Sequence, residues 1–388
     1  MKKFILTLSL FMLLLAAAGC GALGLYPVET IAGTGNHGAM DSEYGLAQFN
    51  LPAGIFGGEG DALIVLDTYN NLIREIDLSI DYEVTVRRIT GNILMSRRAP
   101  RLDDFRFPQG SKRDGLLDNA LFNRPTAGVM DSEGRMFIAD RNNHAIRMIS
   151  DGVVSTFAGG RPGHQDGQGA NAMFYYPTAL AIGENGTLHV ADTGNSVIRS
   201  IDINGYVTTV AGVPGVFGYY NGDAHMALFN EPMGIAVMGD IIFVADTNNH
   251  LIRIIENGHV RTFAGVYQLP DTTDSYDEWD MLPVGGFSGG TSAMFNMPMG
   301  LTVWGDVLII ADSLNHAIRG VIYPMGEVFT IAGTGEPGHY DGYMAMFHLP
   351  RGVYVSGDEL FIADTGNNMI RKIYLAAIMQ DWEVYLNE

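Results

Sequence analysis

The sequence is poor in cysteine and in basic residues, and each shortage excludes a class of function. A single cysteine among 388 residues cannot build a zinc cage of several thiolates, and it avoids stray disulfides in an oxidising compartment. Lysine and arginine number 23 against 43 aspartates and glutamates, a formal net charge of −20. Because nucleic-acid surfaces carry a basic stripe, we expect no nucleic-acid partner. Apolar residues, at 47%, and 49 glycines indicate a globular protein rich in turns.

The longest apolar run lies at the N-terminus, where Lys2 and Lys3 precede fifteen uncharged residues, 4–18. A membrane-spanning helix needs roughly 20 apolar residues, so this run better fits the hydrophobic part of a secretory signal. It ends in AAGC (17–20), which resembles a bacterial lipoprotein signal, where the cysteine is acylated and the preceding peptide removed. An ordinary signal peptide with an incidental cysteine is the alternative.

The lipoprotein resemblance implies a signal peptide at 1–19 and a short linker at 20–27 that begins with an acylated Cys20. We therefore expect export, attachment to a membrane through the lipid anchor, and an extracytoplasmic location at a bacterial cell envelope.

One phrase, such as ADTNNHLIRII at 245–255, occurs six times in the chain. In every copy an aspartate precedes an arginine by seven residues, and a proline lies 14 or 15 residues before the aspartate. The aspartates are Asp67, Asp140, Asp192, Asp246, Asp312 and Asp364, and the arginines are Arg74, Arg147, Arg199, Arg253, Arg319 and Arg371. Internal repetition at this period indicates stacked units or a propeller.

Each unit has the pattern of four short strands. In the fourth copy these are MGIAV (233–237), DIIFVAD (240–246), HLIRII (250–255) and HVRTFAG (259–265), separated by polar or glycine-containing turns. No helical periodicity of comparable length is present. We predict an all-β, six-bladed propeller of four-stranded antiparallel blades over 28–376, with a C-terminal tail at 377–388. The lone strand VETIAG (28–33) is expected to complete the last blade and close the ring.

These repeats resemble the NHL-repeat family, and Asn249, His250 and Leu251 spell out its name. The resemblance implies the propeller fold and says much less about function. A group needed in all six copies serves the repeat, so we predict structural roles for the aspartates and arginines. We expect the aspartate to accept backbone N–H groups in its own turn, and the asparagine three residues on to be left-handed. An aspartate–arginine pair would fasten neighbouring blades.

The family resemblance also implies a ligand site at the channel mouth, over the start of each innermost strand. The residue after each proline occupies that position, which gives Ala53, Thr126, Thr178, Met233, Met299 and Arg351. Related lyases place zinc-binding histidines there, and related lactonases place calcium-binding acids and asparagines. Since none of the six is such a ligand, we predict no metal or other cofactor and a non-catalytic binding protein. The alternative is a metal-assisted lyase or lactone hydrolase acting in the channel.

Arg351 is the only charged residue of the six. Its planar guanidinium can bind a carboxylate or phosphate, or it can be a surface arginine paired with a nearby acid.

Two links between blades are about twice the usual length. One, 92–113, is basic and contains Arg97 and Arg98, and the other, 266–290, is acidic and contains Tyr276 and Trp279. Long loops on a rigid scaffold often bind partners, so we predict a protein or glycan partner at this face, with Tyr220 and Tyr340 of shorter links as further candidates. The alternatives are solvated insertions that pair as a lid, and a scaffolding repeat without a pocket.

Overall fold

The computed structural model describes residues 26–43, 45–79, 84–91, 110–269 and 285–375. These residues form six antiparallel sheets with almost no helix, which confirms the predicted six-bladed β-propeller. The innermost strands of neighbouring blades contact one another around a central channel, and their sequence order around the ring follows the order of the six repeats.

The strands of each blade run in chain order from the channel to the outside. Blade 1 contains β2 (Gly54–Gly57), β3 (Ala62–Asp67), β4 (Leu72–Asp77) and β5 (Thr85–Thr90). Blade 2 contains β7 (Pro125–Met130), β8 (Met136–Asp140), β9 (Ala145–Ser150) and β10 (Val153–Gly159). Blade 3 contains β12 (Pro177–Ile182), β13 (Leu188–Asp192), β14 (Val197–Ile201) and β15 (Tyr206–Ala211). Blade 4 contains β17 (Gly234–Met238), β18 (Ile241–Asp246), β19 (Leu251–Glu256) and β20 (His259–Ala264). Blade 5 contains β21 (Pro298–Trp304), β22 (Val307–Asp312), β23 (Ala317–Ile322) and β24 (Glu327–Ala332).

The last blade is assembled from both ends of the chain. It contains β25 (Val353–Ser356), β26 (Glu359–Asp364) and β27 (Met369–Tyr374), and its outer strand is β1 (Val28–Ala32). Strand β1 pairs antiparallel with β27, with Val28 opposite Ile373. The predicted closure of the ring by the N-terminal strand is therefore correct.

Three blades have a fifth strand that the sequence pattern did not predict. The links that lead into blades 2, 3 and 4 fold back over the outer edge of those blades and add β6 (Gly115–Leu116), β11 (Gly167–Gln168) and β16 (Gly222–Asp223). Two residues are too few to show an alternating pattern. They cover part of an otherwise open edge strand, which limits edge-to-edge association.

The repeated aspartate and arginine pair with each other inside one blade. In blade 4, for example, Arg253 Nη1 lies 2.6 Å from Asp246 Oδ2, and both side chains are fully buried. The guanidinium also lies over the buried Phe229 ring, 5.3 Å from its centroid. In every blade a phenylalanine three residues before the repeat proline contacts the repeat arginine in the same way. Burial raises the pKa of the corresponding Asp67 to about 6, against the opposing effect of Arg74.

Two details of the predicted turn are wrong. The aspartate carboxylate does not accept backbone N–H groups of its own turn in the described residues. It accepts a backbone N–H from the turn that leads into the innermost strand. In blade 4, Asn230 N donates to Asp246 Oδ1 at 2.7 Å. The left-handed residue is also not the asparagine at the third position but the following residue, such as His250 with φ 56°. Asn249 instead lies in a short 3-10 turn, and its side-chain amide donates to Asp246 Oδ2 and to the carbonyl of Gly218.

The blades are fastened to each other by that left-handed residue rather than by the ion pair. Its side chain accepts the backbone N–H of the residue before the proline in the next blade, as in Met297 N to His250 Nδ1 at 2.9 Å. Histidine, asparagine and serine all supply an acceptor, which explains their exchange at this position. The six acceptors are Asn71, His144, Ser196, His250, His316 and Asn368.

A hydroxyl directly after the repeat aspartate makes a second bond across five of the six seams. Thr247 Oγ1, for instance, donates to the carbonyl oxygen of Pro298 in the next blade at 2.8 Å. Equivalent bonds start at Thr68, Thr193, Ser313 and Thr365. Blade 2 has Arg141 at this position, so the seam between blades 2 and 3 lacks the hydroxyl.

None of the helical turns in the described ranges is long and apolar enough to cross a membrane.

Candidate ligand-binding site at the channel mouth

The six positions that follow the repeat prolines converge on one cavity. Ala53, Thr126, Thr178, Met233, Met299 and Arg351 all line it, as predicted from their place at the start of the innermost strands. The cavity has a volume of about 730 Å³ and continues into the channel between the inner strands. This size is within the range of small-molecule sites.

The two threonines line the cavity, but their hydroxyls already have partners in the protein. Thr126 Oγ1 donates to the carbonyl oxygen of Thr178 at 3.0 Å, and the Thr178 hydroxyl is hydrogen-bonded to that of Thr193. They therefore stiffen the mouth between blades 2 and 3 and offer a ligand less hydrogen bonding than the sequence suggests.

Arg351 lies half-buried in the cavity, and among the described residues it has no acidic partner of the kind that the alternative interpretation expects. Two hydrogen bonds fix its backbone. Its N–H donates to the carbonyl of Ala363 at 3.0 Å, and its carbonyl accepts from Gly300 N at 2.9 Å. In the described part of the chain its guanidinium makes no ion pair, and its Nε is buried without a hydrogen-bond partner. Burial lowers the pKa of Arg351, and the positive charge of Arg141 lowers it further.

Two more arginines, Arg124 and Arg141, line the same side of the cavity. Arg124 is the residue before the proline of blade 2, and its guanidinium lies 4.4 Å from the centroid of the Tyr69 ring. Arg141 follows the repeat aspartate of blade 2 and lies 4.8 Å from the centroid of the Tyr176 ring. Stacking on an aromatic face holds the plane of a guanidinium in a defined orientation.

Sequence reasoning missed these two arginines because it compared only the residue after each proline. The signal was present in two other columns of the repeat. The residue after the aspartate is threonine or serine in five copies and Arg141 in the sixth. The residue before the proline is Leu51, Tyr176, Glu231, Met297 or Leu349 elsewhere, and Arg124 in blade 2.

Neighbouring positive charge lowers the pKa of Arg141 and of Arg351. The pKa of Arg141 is lowered first by burial and then by the positive charge of Arg124. Glu231 acts in the opposite direction on Arg141, but it is exposed and bonds Asn248. Among the described residues that line the cavity, none is an aspartate, glutamate or histidine, although the chain carries a net charge of −20.

Methionines line the opposite side of the mouth. Met233 belongs to blade 4, and Met297 and Met299 belong to the start of blade 5. The arginines and Tyr69 belong to blades 6, 1 and 2, so the mouth has a cationic side and an apolar side. Methionine side chains are flexible and polarizable and adapt to differently shaped apolar groups.

Tyr220 and Tyr340, the other predicted residues that the structure describes, do not line this cavity. Tyr220 and Tyr340 are exposed and lie in the links over the outer edges of blades 4 and 6, where their carbonyl oxygens accept from Arg253 and Arg371. The residues Arg97, Arg98, Tyr276, Trp279 and Cys20 lie outside the described residues. Their roles stay predictions.

No group of three or more histidine, cysteine, aspartate or glutamate side chains is placed to hold a metal ion in the ranges that the structure describes.

Comparison with known proteins agrees with the fold. A family model described as NHL repeat matches residues 229–255. The chain is 28% identical over 281 residues to protein SUPPRESSOR OF QUENCHING 1, chloroplastic, of Arabidopsis thaliana, covering 68% of this chain and 26% of that protein. It is 26% identical over 311 residues to NHL repeat-containing protein 2 of Homo sapiens, covering 70% and 42%. The chain thus spans well under half the length of these relatives.

Solved structures show the same architecture at low sequence identity. An auxiliary nutrient binding protein from Bacteroides thetaiotaomicron VPI-5482 superposes with a TM-score of 0.60 at 15% identity, covering 90% of this chain and 76% of that one. A gluconolactonase from Xanthomonas campestris superposes with a TM-score of 0.54 at 14% identity, covering 92% and 93%. At such identity the similarity shows the fold alone.

Fold and repeats together define a six-bladed β-propeller. More particularly, residues 229–255 of this propeller match the NHL repeat, and the chain is similar in sequence to NHL repeat-containing protein 2.

Proposed function

We propose that the protein is a non-catalytic binding module that holds part of a protein or glycan partner at the channel mouth. The observation that carries the proposal is the convergence of the six repeat positions on one concave cavity that is lined by both apolar and polar side chains. Ligand sites in proteins are commonly concave and mostly apolar, with a few placed polar groups that fix orientation. The similarity in fold to nutrient-binding propellers supports binding, and the lack of acidic and histidine side chains in the described lining supports a non-catalytic role.

Blocking the mouth tests this function. Wild-type protein and Met299→Trp are applied to arrays of oligosaccharides and of surface-protein peptides, and Met226→Trp, at an exposed methionine on the outer edge of blade 4, is the matched control. We expect Met299→Trp to lose array binding and Met226→Trp to retain it. Binding that survives in Met299→Trp would place the site elsewhere, and conversion of a bound compound would favour the lyase or lactonase alternative.

Export and lipid anchoring are part of the same proposal, supported by the lysines, apolar run and AAGC sequence at the N-terminus. The mass of the N-terminal peptide from the native protein checks this, since it should begin with an acylated Cys20. An unmodified peptide that begins with Met1 would contradict it.

A further inference from the structure

We propose that Arg124, Arg141 and Arg351 together bind the carboxylate of a ligand whose adjoining apolar group lies against Met233, Met297 and Met299. This inference rests on the proposed function, because it concerns the same mouth, and it names the chemical group that the mouth recognises.

The first argument is the position of the charges within the repeat. None of the three arginines is required by the blade, because other copies fold with threonine, leucine or methionine at the same places. Thr247 shows what the repeat normally has in place of Arg141, a hydroxyl that bonds the next blade. Arg141 therefore replaces a stabilising contact, which is typical of a functional position.

The second argument is that, among the described residues, no acid lies at ion-pair distance from these arginines. Each repeat arginine inside a blade has a buried aspartate oxygen within 3.2 Å of its guanidinium. In blade 3, for example, Arg199 Nη1 lies 2.8 Å from Asp192 Oδ2. Arg124, Arg141 and Arg351 have no carboxylate at ion-pair distance in the described structure. The positive charge of Arg124 lowers the pKa of Arg141, and that of Arg141 lowers the pKa of Arg351. Three half-buried cations with a common cavity repel each other, and an anion between them removes that repulsion.

The third argument is orientation. Tyr69 and Tyr176 hold the planes of Arg124 and Arg141, and the backbone bonds of Arg351 fix where its side chain enters the cavity. Guanidinium groups fixed in this way match the two oxygens of a carboxylate. Since methionines cover the far side of the same mouth, the group next to the carboxylate is expected to be apolar, as at the C-terminal end of a peptide.

The test compares N-acetyl-leucine with N-acetyl-leucinamide, in which an uncharged carboxamide replaces the carboxylate. Calorimetric titration at pH 7.5 and constant ionic strength is expected to show roughly tenfold tighter binding of the acid to the wild-type protein. Arg351→Met and Arg141→Thr, which copy residues of other blades, should reduce the preference to about one. Arg261→Thr, at an exposed arginine of β20 paired with Glu256, should keep it.

Thermal unfolding separates lost binding from lost folding. Arg141→Thr gains a hydroxyl that can donate to the Pro177 carbonyl, so its melting temperature should equal or exceed that of the wild type. Equal binding of acid and amide, no binding of either, or an unchanged preference in the arginine variants would each overturn the proposal. Galacturonate carries a carboxylate on a polar sugar. If it binds more tightly than N-acetyl-leucine, the proposed contact of an apolar ligand group with the methionines is wrong.

The same titrations distinguish this inference from the proposed function. If acid and amide bind equally and Met299→Trp abolishes both, the mouth is the site and the carboxylate assignment fails. If the acid preference persists in Met299→Trp, the arginines bind an anion outside the channel site, and the proposed function fails with this inference.

Discussion

The arginines of the repeat and the arginines of the mouth lie in different environments, and their hydrogen bonds distinguish them. Arg199, inside blade 3, donates from one terminal nitrogen to Asp192 and from the other to Asp166, at 2.8 and 2.6 Å. Arg351 has no such bonds to described residues. A buried charge with its partners is part of the core, whereas a half-buried charge without them is ready to bind a ligand.

The histidines of the seams lead to a prediction about pH. His144 and His316 accept a backbone N–H at Nδ1 from Tyr176 and Leu349, which only neutral imidazole can do. Burial lowers the pKa of both, with help from Arg141 at the first and from His348 at the second, while Glu336 opposes the shift at His316. Because the folded-state pKa is below the ordinary value of about 6.5, this stability is complete above pH 6.5. It is lost as the pH falls through the folded-state values.

Asparagine at the same position, as in Asn71 and Asn368, makes the seam bond without titrating. The double variant His144→Asn, His316→Asn should therefore lose less stability than the wild type between pH 7.5 and 5.0. The difference should be about 1 kcal/mol per seam, the usual contribution of one hydrogen bond. Denaturant unfolding at both pH values measures it, with the exposed His225→Asn as control. Equal losses in all three proteins would show that these imidazoles do not titrate in the seam.

At the scale of the strand, glycine sets how closely the blades approach the channel. The second residue after the proline is glycine in blades 1, 4, 5 and 6, and a Cβ there would collide with a backbone carbonyl of the next blade. Blades 2 and 3 have Ala127 and Ala179 instead, so their inner strands leave room for a methyl group. The ring is consequently tightest where the methionines and Arg351 enter the mouth.

Gly234→Ala should force blades 4 and 5 apart, because the added Cβ meets the carbonyl oxygen of Met299. Overpacking of this kind costs about 1–3 kcal/mol, which denaturant unfolding would measure. Gly183→Ala is the matched control, since its Cβ would meet the movable side chain of Asn185 at 3.2 Å. If the two variants unfold alike, the close approach of the inner strands is not a source of strain.

At the scale of the whole molecule, the repeat determined most of what the sequence could predict. Six in-phase copies predicted the blades, the closure by β1 and the six positions at the mouth. The partner of His250 was not predictable, because it lies in the next blade and depends on how blades rotate against one another. Arg141 was missed for a simpler reason. Only the residues after the prolines were compared, whereas Arg141 follows the repeat aspartate. The assembled ring also concentrates cations in the mouth of an acidic protein, which only the folded arrangement reveals.

Closure through a shared blade should stabilise the whole ring, and two circular permutants test this. Both join Leu375 to Tyr26 with a short linker, which is possible because Val28 and Ile373 are paired neighbours. One permutant opens the exposed link between Gly215 and Val216, so every blade is continuous and the ends meet only across the seam of blades 3 and 4. The other opens the turn between Asn257 and Gly258, so β20 at the new N-terminus must pair with β19 at the new C-terminus.

The second permutant keeps a strand ladder across its termini, whereas the first keeps only seam contacts such as the bond from Thr193 Oγ1 to the Pro232 carbonyl. We expect both to fold and the second to melt several degrees higher, since a free energy difference of about 1 kcal/mol shifts the midpoint of a large domain by roughly 2–4 °C. Calorimetric melting of the two proteins decides the question directly. Equal midpoints would mean that the seams alone hold the ring closed, and that the N-terminal strand serves to cover the edge of the last blade rather than to lock the propeller.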